Sequence, residues 1–195
     1  HKRLLGYVYL DAAGKQCVNV ELVRQGAARL GIRGVGDDTP GNAFALLHFE
    51  ELIKAQVEAA RSRRGWWGAG DPYAESDLLV CFVKFWGRDE VVWLLNRGRA
   101  PVNLSDNWRL TDSTQKKPLL LRQCFPQANC NLLPGGVCRI HTGSEARQGE
   151  PQCEQPEMDL LWKRQRVWNN TGDQAFLSTP EGNLVYSYTY KAARS

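Results

Sequence analysis

The spacing of apolar positions changes period near residue 70, and that change divides the chain. Residues 4–10, LLGYVYL, set Tyr7 and Tyr9 on one face and Val8 and Leu10 on the other, which predicts a strand. A turn at Asp11-Ala12-Ala13-Gly14 follows. Asn19 then reads as the N-cap of a helix whose face carries Leu22, Val23, Ala27 and Leu30. Gly26 falls inside that pattern, so a close backbone neighbour is expected there. Residues 31–42, GIRGVGDDTPGN, have the composition of a loop. From Ala43 to Arg64 the helical period is longest, with Leu46, Phe49, Ile53, Val57 and Ala60 on one stripe. Arg61, Arg63 and Arg64 end it, where cations suit the helix dipole, and Gly65 stops it.

Beyond Gly65-Trp66-Trp67-Gly68 the helical period is gone. Leu78 to Trp86 and Glu90 to Leu95 read as strands, joined after Asn96-Arg97-Gly98 by short strands at Pro101 to Leu104 and Asn107 to Leu110. A strand or two surround the Leu133-Pro134-Gly135-Gly136 turn. Asp159 to Trp168, Gln174 to Ser178 and Leu184 to Tyr190 bring the total to about eight, the number of a sandwich. The fold class expected is mainly β with two α-helices. Residues 1–70 form a first unit, 71–76 a linker, and 77–195 a β-sandwich.

Charge adds little. The formal net charge is +4, with ten Lys/Arg against seven Asp/Glu in residues 1–70 and fifteen against fourteen in 71–195. The first unit is the better candidate to meet a polyanion. No apolar run approaches the ~20 residues needed to cross a bilayer as a helix. The chain opens on His1-Lys2-Arg3 without an initiator Met or signal peptide, which reads as a mature, cleaved or truncated product.

Six cysteines stand at 17, 81, 124, 130, 138 and 153, none with C-x₂-C spacing. Structural disulfides in an extracytoplasmic or secreted protein are preferred to free thiols or a metal site, with the pairing open. Other residues read as structural. Asp106, Asp112 and Asp173 occupy turns where a carboxylate bonds backbone N–H groups, and the tryptophans suit a sandwich core or edge. Lys163-Arg164-Gln165-Arg166 reads as a charged edge. His141 has only His1 and His48 for company, which argues against a histidine metal site. No Ser-His-Asp set, P-loop or dinucleotide fingerprint is present.

Two resemblances add to this. Arg3 to Leu10, then Val18-Asn19, Leu22 to Ala28, and Ala55 to Ala60 leading into Arg64-Gly65-Trp66-Trp67, resemble in order and spacing the last strand and two C-terminal helices of the staphylococcal nuclease (thermonuclease) family. That family builds an OB-fold barrel, binds Ca²⁺ through acidic side chains and hydrolyses phosphodiesters of DNA or RNA. The resemblance implies the C-terminal part of a secreted, Ca²⁺-dependent nuclease, a partial OB-fold of one strand and two helices. Arg3 matches the second catalytic arginine of the family, and a guanidinium fork suits phosphate oxygens. Lys2 and Arg33 are candidate nucleic-acid contacts. The metal-ligand half has no counterpart in these residues, so this chain alone is expected to bind no Ca²⁺ and to hydrolyse nothing. The apolar helix 43–64 then needs cover from the sandwich, a second copy, or the rest of the nuclease barrel; docking on the sandwich ranks first.

The second resemblance is to the lamin-tail domain, an immunoglobulin-like sandwich. It is carried by Glu90 to Gly98, Val102 to Ser105, Trp108 to Asp112, Leu133 to Gly136, His141-Thr142-Gly143 and Val167 to Asp173. It implies a fold and no activity. The alternative to a nuclease fragment is therefore a non-catalytic module that binds nucleic acid or protein.

Overall fold

A computed structural model describes residues 6–30, 47–125, 129–147, 149 and 152–190. Among the described residues two α-helices, α1 (Val18–Arg24) and α2 (Phe49–Arg61), precede ten strands. These are β1 (Leu78–Lys84), β2 (Glu90–Asn96), β3 (Val102–Asn103), β4 (Arg109–Thr111), β5 (Leu119–Leu120), β6 (Asn131–Leu132), β7 (Val137–Thr142), β8 (Glu157–Lys163), β9 (Asp173–Ser178) and β10 (Leu184–Tyr190). One four-stranded sheet runs β1-β2-β7-β8, a second runs β10-β9-β4-β5, and β3 pairs with β6 apart from both. Among the described residues only the β7–β8 pair is parallel. A mainly β architecture with two helices is what the period change predicts, and the two facing sheets are those of an immunoglobulin-like sandwich.

Strand register explains the core. Val92, Ile140 and Leu160 stand side by side across β2, β7 and β8, as do Leu94, Cys138 and Met158. Every one of these six is buried. Because side chains alternate faces, the residues between them form a second row on the other side of the sheet, Trp93, Arg139 and Asp159. That outer row is partly covered by α2. The Phe49 ring lies 5.7 Å from Phe82, 5.5 Å from Trp86 and 6.3 Å from Trp93, centroid to centroid.

Helix α2 thus docks on the sandwich, but with a rotated face. Leu52, Ile53, Ala55, Gln56, Ala59 and Ala60 are its buried positions, whereas Phe49 and Val57 are only half-buried. The rotation follows from Gln56. Its amide accepts from Leu30 N–H at 2.6 Å and donates to the Cys81 carbonyl at 2.7 Å, all three buried. Cys81 sits in a bulge of β1, where the register shifts between Val80 and Phe82 and a carbonyl is left outside the ladder. A stripe drawn from apolar residues alone assigns Gln56 to solvent, and the bulge claims it instead.

The first unit departs from expectation at its start. Among the described residues 6–10 only an isolated bridge, Tyr9 with Cys17, replaces the predicted strand. Asn19 is the reason: it is not the N-cap of α1, which begins after Cys17, and its side chain turns back to Val8 N–H at 3.0 Å and the Gly6 carbonyl at 3.4 Å. Those groups are consequently satisfied without a neighbouring strand. Helix α1 ends at Arg24, so Gly26 lies beyond it with φ +68°. The close neighbour expected at Gly26 is Arg64: a Cβ on Gly26 would sit 2.2 Å from its carbonyl oxygen, and one on Gly65 would sit 2.4 Å from that of Gly26.

The segment after α2 is tied to the sandwich by a buried ion pair. Arg97 and Asp71 meet at 2.9 Å with side chains fully enclosed, and Arg97 also donates to the carbonyls of Ser76, Trp67 and Tyr73. Arg61 and Arg63, read as dipole cations, also donate to the carbonyls of Gly135 and Ala74. One hydrophobic cluster runs from Cys17 through Trp67 to Tyr188.

Candidate functional site

The predicted site residues Arg3, Lys2 and Arg33 lie outside the described residues. The structure instead gathers polar side chains on the outer row of the first sheet, in a cleft of about 380 Å³ between that sheet and the start of α2. Phe49, Trp86 and Trp93 supply aromatic walls, and Lys84, Asp89, Arg139, His141, Arg147 and Asp159 supply charge.

The residues come from α2, β1, β2, β7, β8 and the loops after β1 and β7. β7 alternates Val137-Cys138-Arg139-Ile140-His141, so a strand that buries Cys138 and Ile140 must turn Arg139 and His141 outward. β8 does the same with Asp159 between Met158 and Leu160. Asp89 comes from the loop between β1 and β2. That loop is clamped by the turn after β7: Glu145 N–H donates to the Arg88 carbonyl at 2.9 Å, and Gly143, at φ +110°, has no room for a Cβ, which would lie 2.3 Å from the same oxygen. The Gly143 of the His-Thr-Gly motif therefore places Asp89.

His141 is the hub. Its Nδ1 lies 2.8 Å from an oxygen of Asp89 and its Nε2 lies 2.9 Å from one of Asp159, while the ring itself is buried. Both ring nitrogens donate together only in the imidazolium form, which would satisfy both carboxylates. Arg139 takes Asp159 in a fork, Nε at 2.7 Å and Nη2 at 2.8 Å. Burial pushes the Asp159 carboxyl up, but the hydrogen bonds from Arg139 and His141 outweigh it and hold the group below its ordinary value of 3.8. Lys84 donates to the Asp89 carbonyl at 2.6 Å. Burial lowers its ammonium below the ordinary value of 10.5, Asp89 opposing and Arg147 adding to the effect.

This arrangement holds a shape and a charge pattern. Among the described residues no serine, threonine or cysteine lines the cleft beside His141. Among the described residues no three His, Cys, Asp or Glu side chains are grouped to hold a metal ion. A second groove of about 490 Å³ continues the cleft along α2, sharing Glu50, Trp93 and Arg139.

Sequence reasoning left this cluster unassembled. It weighed His141 against two distant histidines, when the signal was polar residues recurring at every second position in strands otherwise apolar. The turn roles of Asp112 and Asp173 are as read: Asp112 accepts from the N–H groups of Thr114 and Gln115, and Asp173 from those of Ser113, Asn169 and Gln174. The basic run 163–166 differs from expectation. β8 ends at Lys163, and Arg166 reaches the buried carboxylate of Glu90 at 3.1 Å, which also accepts from Thr142 Oγ1 and Val167 N–H at 2.8 Å each. Of the six cysteines, Cys130 and Cys153 form a disulfide, and the other four are free. Among the described residues no helix is long and apolar enough to cross a membrane.

No curated protein matches the chain. The family model of the Lamin Tail Domain matches residues 71–192, from the Asp71 of the buried ion pair through β10 and including both sheets of the sandwich. With more than half of its length inside that match, the chain belongs to the lamin tail domain family.

Proposed function

We propose that the chain is a non-catalytic binding module that uses the cleft between α2 and the outer face of the β1-β2-β7-β8 sheet. The observation that carries this reading is the pairing of a pre-ordered polar set with aromatic walls: His141 fixed by Asp89 and Asp159, beside Phe49, Trp86 and Trp93. A fixed polar constellation in a concave, partly aromatic site is what recognition requires. The test is a small-fragment screen followed by ¹⁵N NMR of the full chain. Fragments should shift the indole resonances of Trp86 and Trp93 before any others. Hits that all map to the second sheet or to α1 would sink the reading.

A second reading concerns the protein as a whole. The glycines of the thermonuclease-like motifs, Gly26 and Gly65, meet at one crossing of α1 with the end of α2, where neither tolerates a Cβ. That convergence favours residues 1–70 being the C-terminal part of a thermonuclease-like domain, with nucleic acid as partner of the parent protein and Ca²⁺ as its metal. Arg3, Lys2 and Arg33 would then face phosphate. On this reading the 195-residue chain shows no Ca²⁺-dependent nuclease activity, while the protein isolated from its source is larger and does. A native product that begins at His1 and cuts nothing would remove it.

The Cys130–Cys153 disulfide supports an extracytoplasmic or secreted setting. Thiol titration of the unfolded native protein should find four reactive thiols; six would count against that setting.

A further inference from the structure

The cleft carries as much negative charge as positive. Glu50, Asp89 and Asp159 line it against Lys84, Arg139 and Arg147, and the groove along α2 sets Glu50, Glu58 and Glu157 against Lys54, Arg61 and Arg139. His141 adds no open charge, because its side chain is enclosed between Asp89 and Asp159. An ion of either sign therefore meets as much repulsion as attraction here. The polar groups are nevertheless within reach. The side chains of Asp89, Asp159 and Arg139 keep 22, 30 and 33% of their surface open, and His141 takes one oxygen of Asp89. Covering them with an apolar ligand would strip their water and replace none of its hydrogen bonds. Phe49 and Trp93, each half-buried, add ring surface beside them. The sheet turns its face to the cleft, β2 and β7 being paired on both sides, so a peptide finds side chains there and no backbone ladder to extend.

We propose that the cleft and its continuation bind a neutral oligosaccharide, its hydroxyls on Asp89, Asp159, Arg139 and Glu50 and the C–H face of one sugar ring against Trp93. A hydroxyl both donates and accepts, so a surface that alternates carboxylates with guanidinium groups answers it throughout and needs no net charge. Donors and acceptors that already hold one another in place lose little freedom when the ligand arrives. Sugar rings join such hydroxyls to a flat apolar face, and the aromatic wall is what that face requires. The cleft of about 380 Å³ and the groove of about 490 Å³ meet at Glu50, Trp93 and Arg139. Each falls within the roughly 300–1,000 Å³ of a small-molecule site, so together they suit a chain of rings rather than a single one.

This inference rests on the cleft being the binding surface, and the experiment separates the two. The full chain is titrated with cellohexaose, chitohexaose and maltohexaose, with glucose, and with a capped, uncharged Gly-Ser peptide, read by ¹⁵N NMR. At least one hexasaccharide should shift the indole of Trp93 and the amides of β7 around Arg139, and should bind about tenfold more tightly than glucose. Its affinity should change by less than about twofold between low and high salt, since no ion pair forms with the ligand. Trp93→Ala should abolish the response. Glu50→Ala changes an exposed side chain and leaves the fold intact; it should weaken the hexasaccharide about tenfold. No response to any of the three sugars overturns the proposal, as do shifts confined to the second sheet, a steep loss of affinity with salt, or an unaltered affinity in Glu50→Ala. Preference for the peptide overturns it in favour of a peptide ligand. Fragments in the cleft with no hexasaccharide response overturn it while leaving the cleft as a binding surface.

Discussion

The two faces of the β1-β2-β7-β8 sheet are made by the same strands in the same register, and they do opposite things. Toward the second sheet, Val92, Leu94, Cys138, Ile140, Met158 and Leu160 form two apolar rows with no polar atom to satisfy. Toward α2, Arg139, Asp159 and the buried His141 are hydrogen-bonded to one another beside Trp93 at the edge of the cleft. The first arrangement draws its stability from area removed from water, which is non-directional. The second depends on direction, since each carboxylate must find its donor. A sheet can therefore be strengthened from one side and made selective from the other without either task disturbing its register.

The sharpest way to break this contrast is to damage the inner face. Leu94→Ala empties a fully buried position and should cost about 2–5 kcal/mol in denaturant unfolding, with the cleft residues unchanged by NMR. A loss below ~1 kcal/mol would show that the inner rows are not the core. Gln56→Leu comes next. It leaves Leu30 N–H and the Cys81 carbonyl buried without partners and should cost about 1–3 kcal/mol, read by the same unfolding curve.

On the outer face the expected effect is a pH dependence. Because the Asp159 carboxyl is held below 3.8, its contribution is present above that pH and is lost as the pH falls through the lower folded value. Asp159→Asn should consequently show a smaller difference in melting temperature between pH 7 and pH 3 than the unmodified protein does. An equal difference in both would mean that the fork from Arg139 does not discriminate protonation states. The smallest effect belongs to Arg88→Ala. This residue pairs with Glu145 in the open, about two-thirds of each side chain being exposed, and its loss should stay within about 0.5 kcal/mol.

Much of the sandwich was legible because strands betray themselves locally. The runs at 78–84, 90–96, 173–178 and 184–190 alternate or bury β-branched and aromatic residues between turn signals, and each lies where the pattern placed it. What was not legible depended on partners remote in sequence. Asn19 has the chemistry of an N-cap and was read as one, yet Val8 and Gly6 claimed its side chain. Gln56 falls outside the apolar stripe of the helix, and only the bulge at Cys81 gives it an acceptor. The candidate site was hidden for the same reason. Asp89, His141 and Asp159 are 52 and 18 residues apart along the chain, and only the β2-β7-β8 register, with β7 and β8 parallel, makes them neighbours.

The Gln56 bridge has a mechanical consequence. Tension applied to the chain at residue 30 does not reach the sandwich through a linker alone. It is carried across two hydrogen bonds in series, from Leu30 to the amide of Gln56 and from that amide to β1 at Cys81, enclosed where water cannot substitute for either. A second load path runs through the backbone contact of Gly26 with Arg64 and the Gly26 carbonyl that accepts from Trp66 N–H at 2.9 Å. Bonds loaded in parallel share force and yield together, so pulling from the N-terminal side should detach the helical segment in a single event, after which the sandwich bears the load alone.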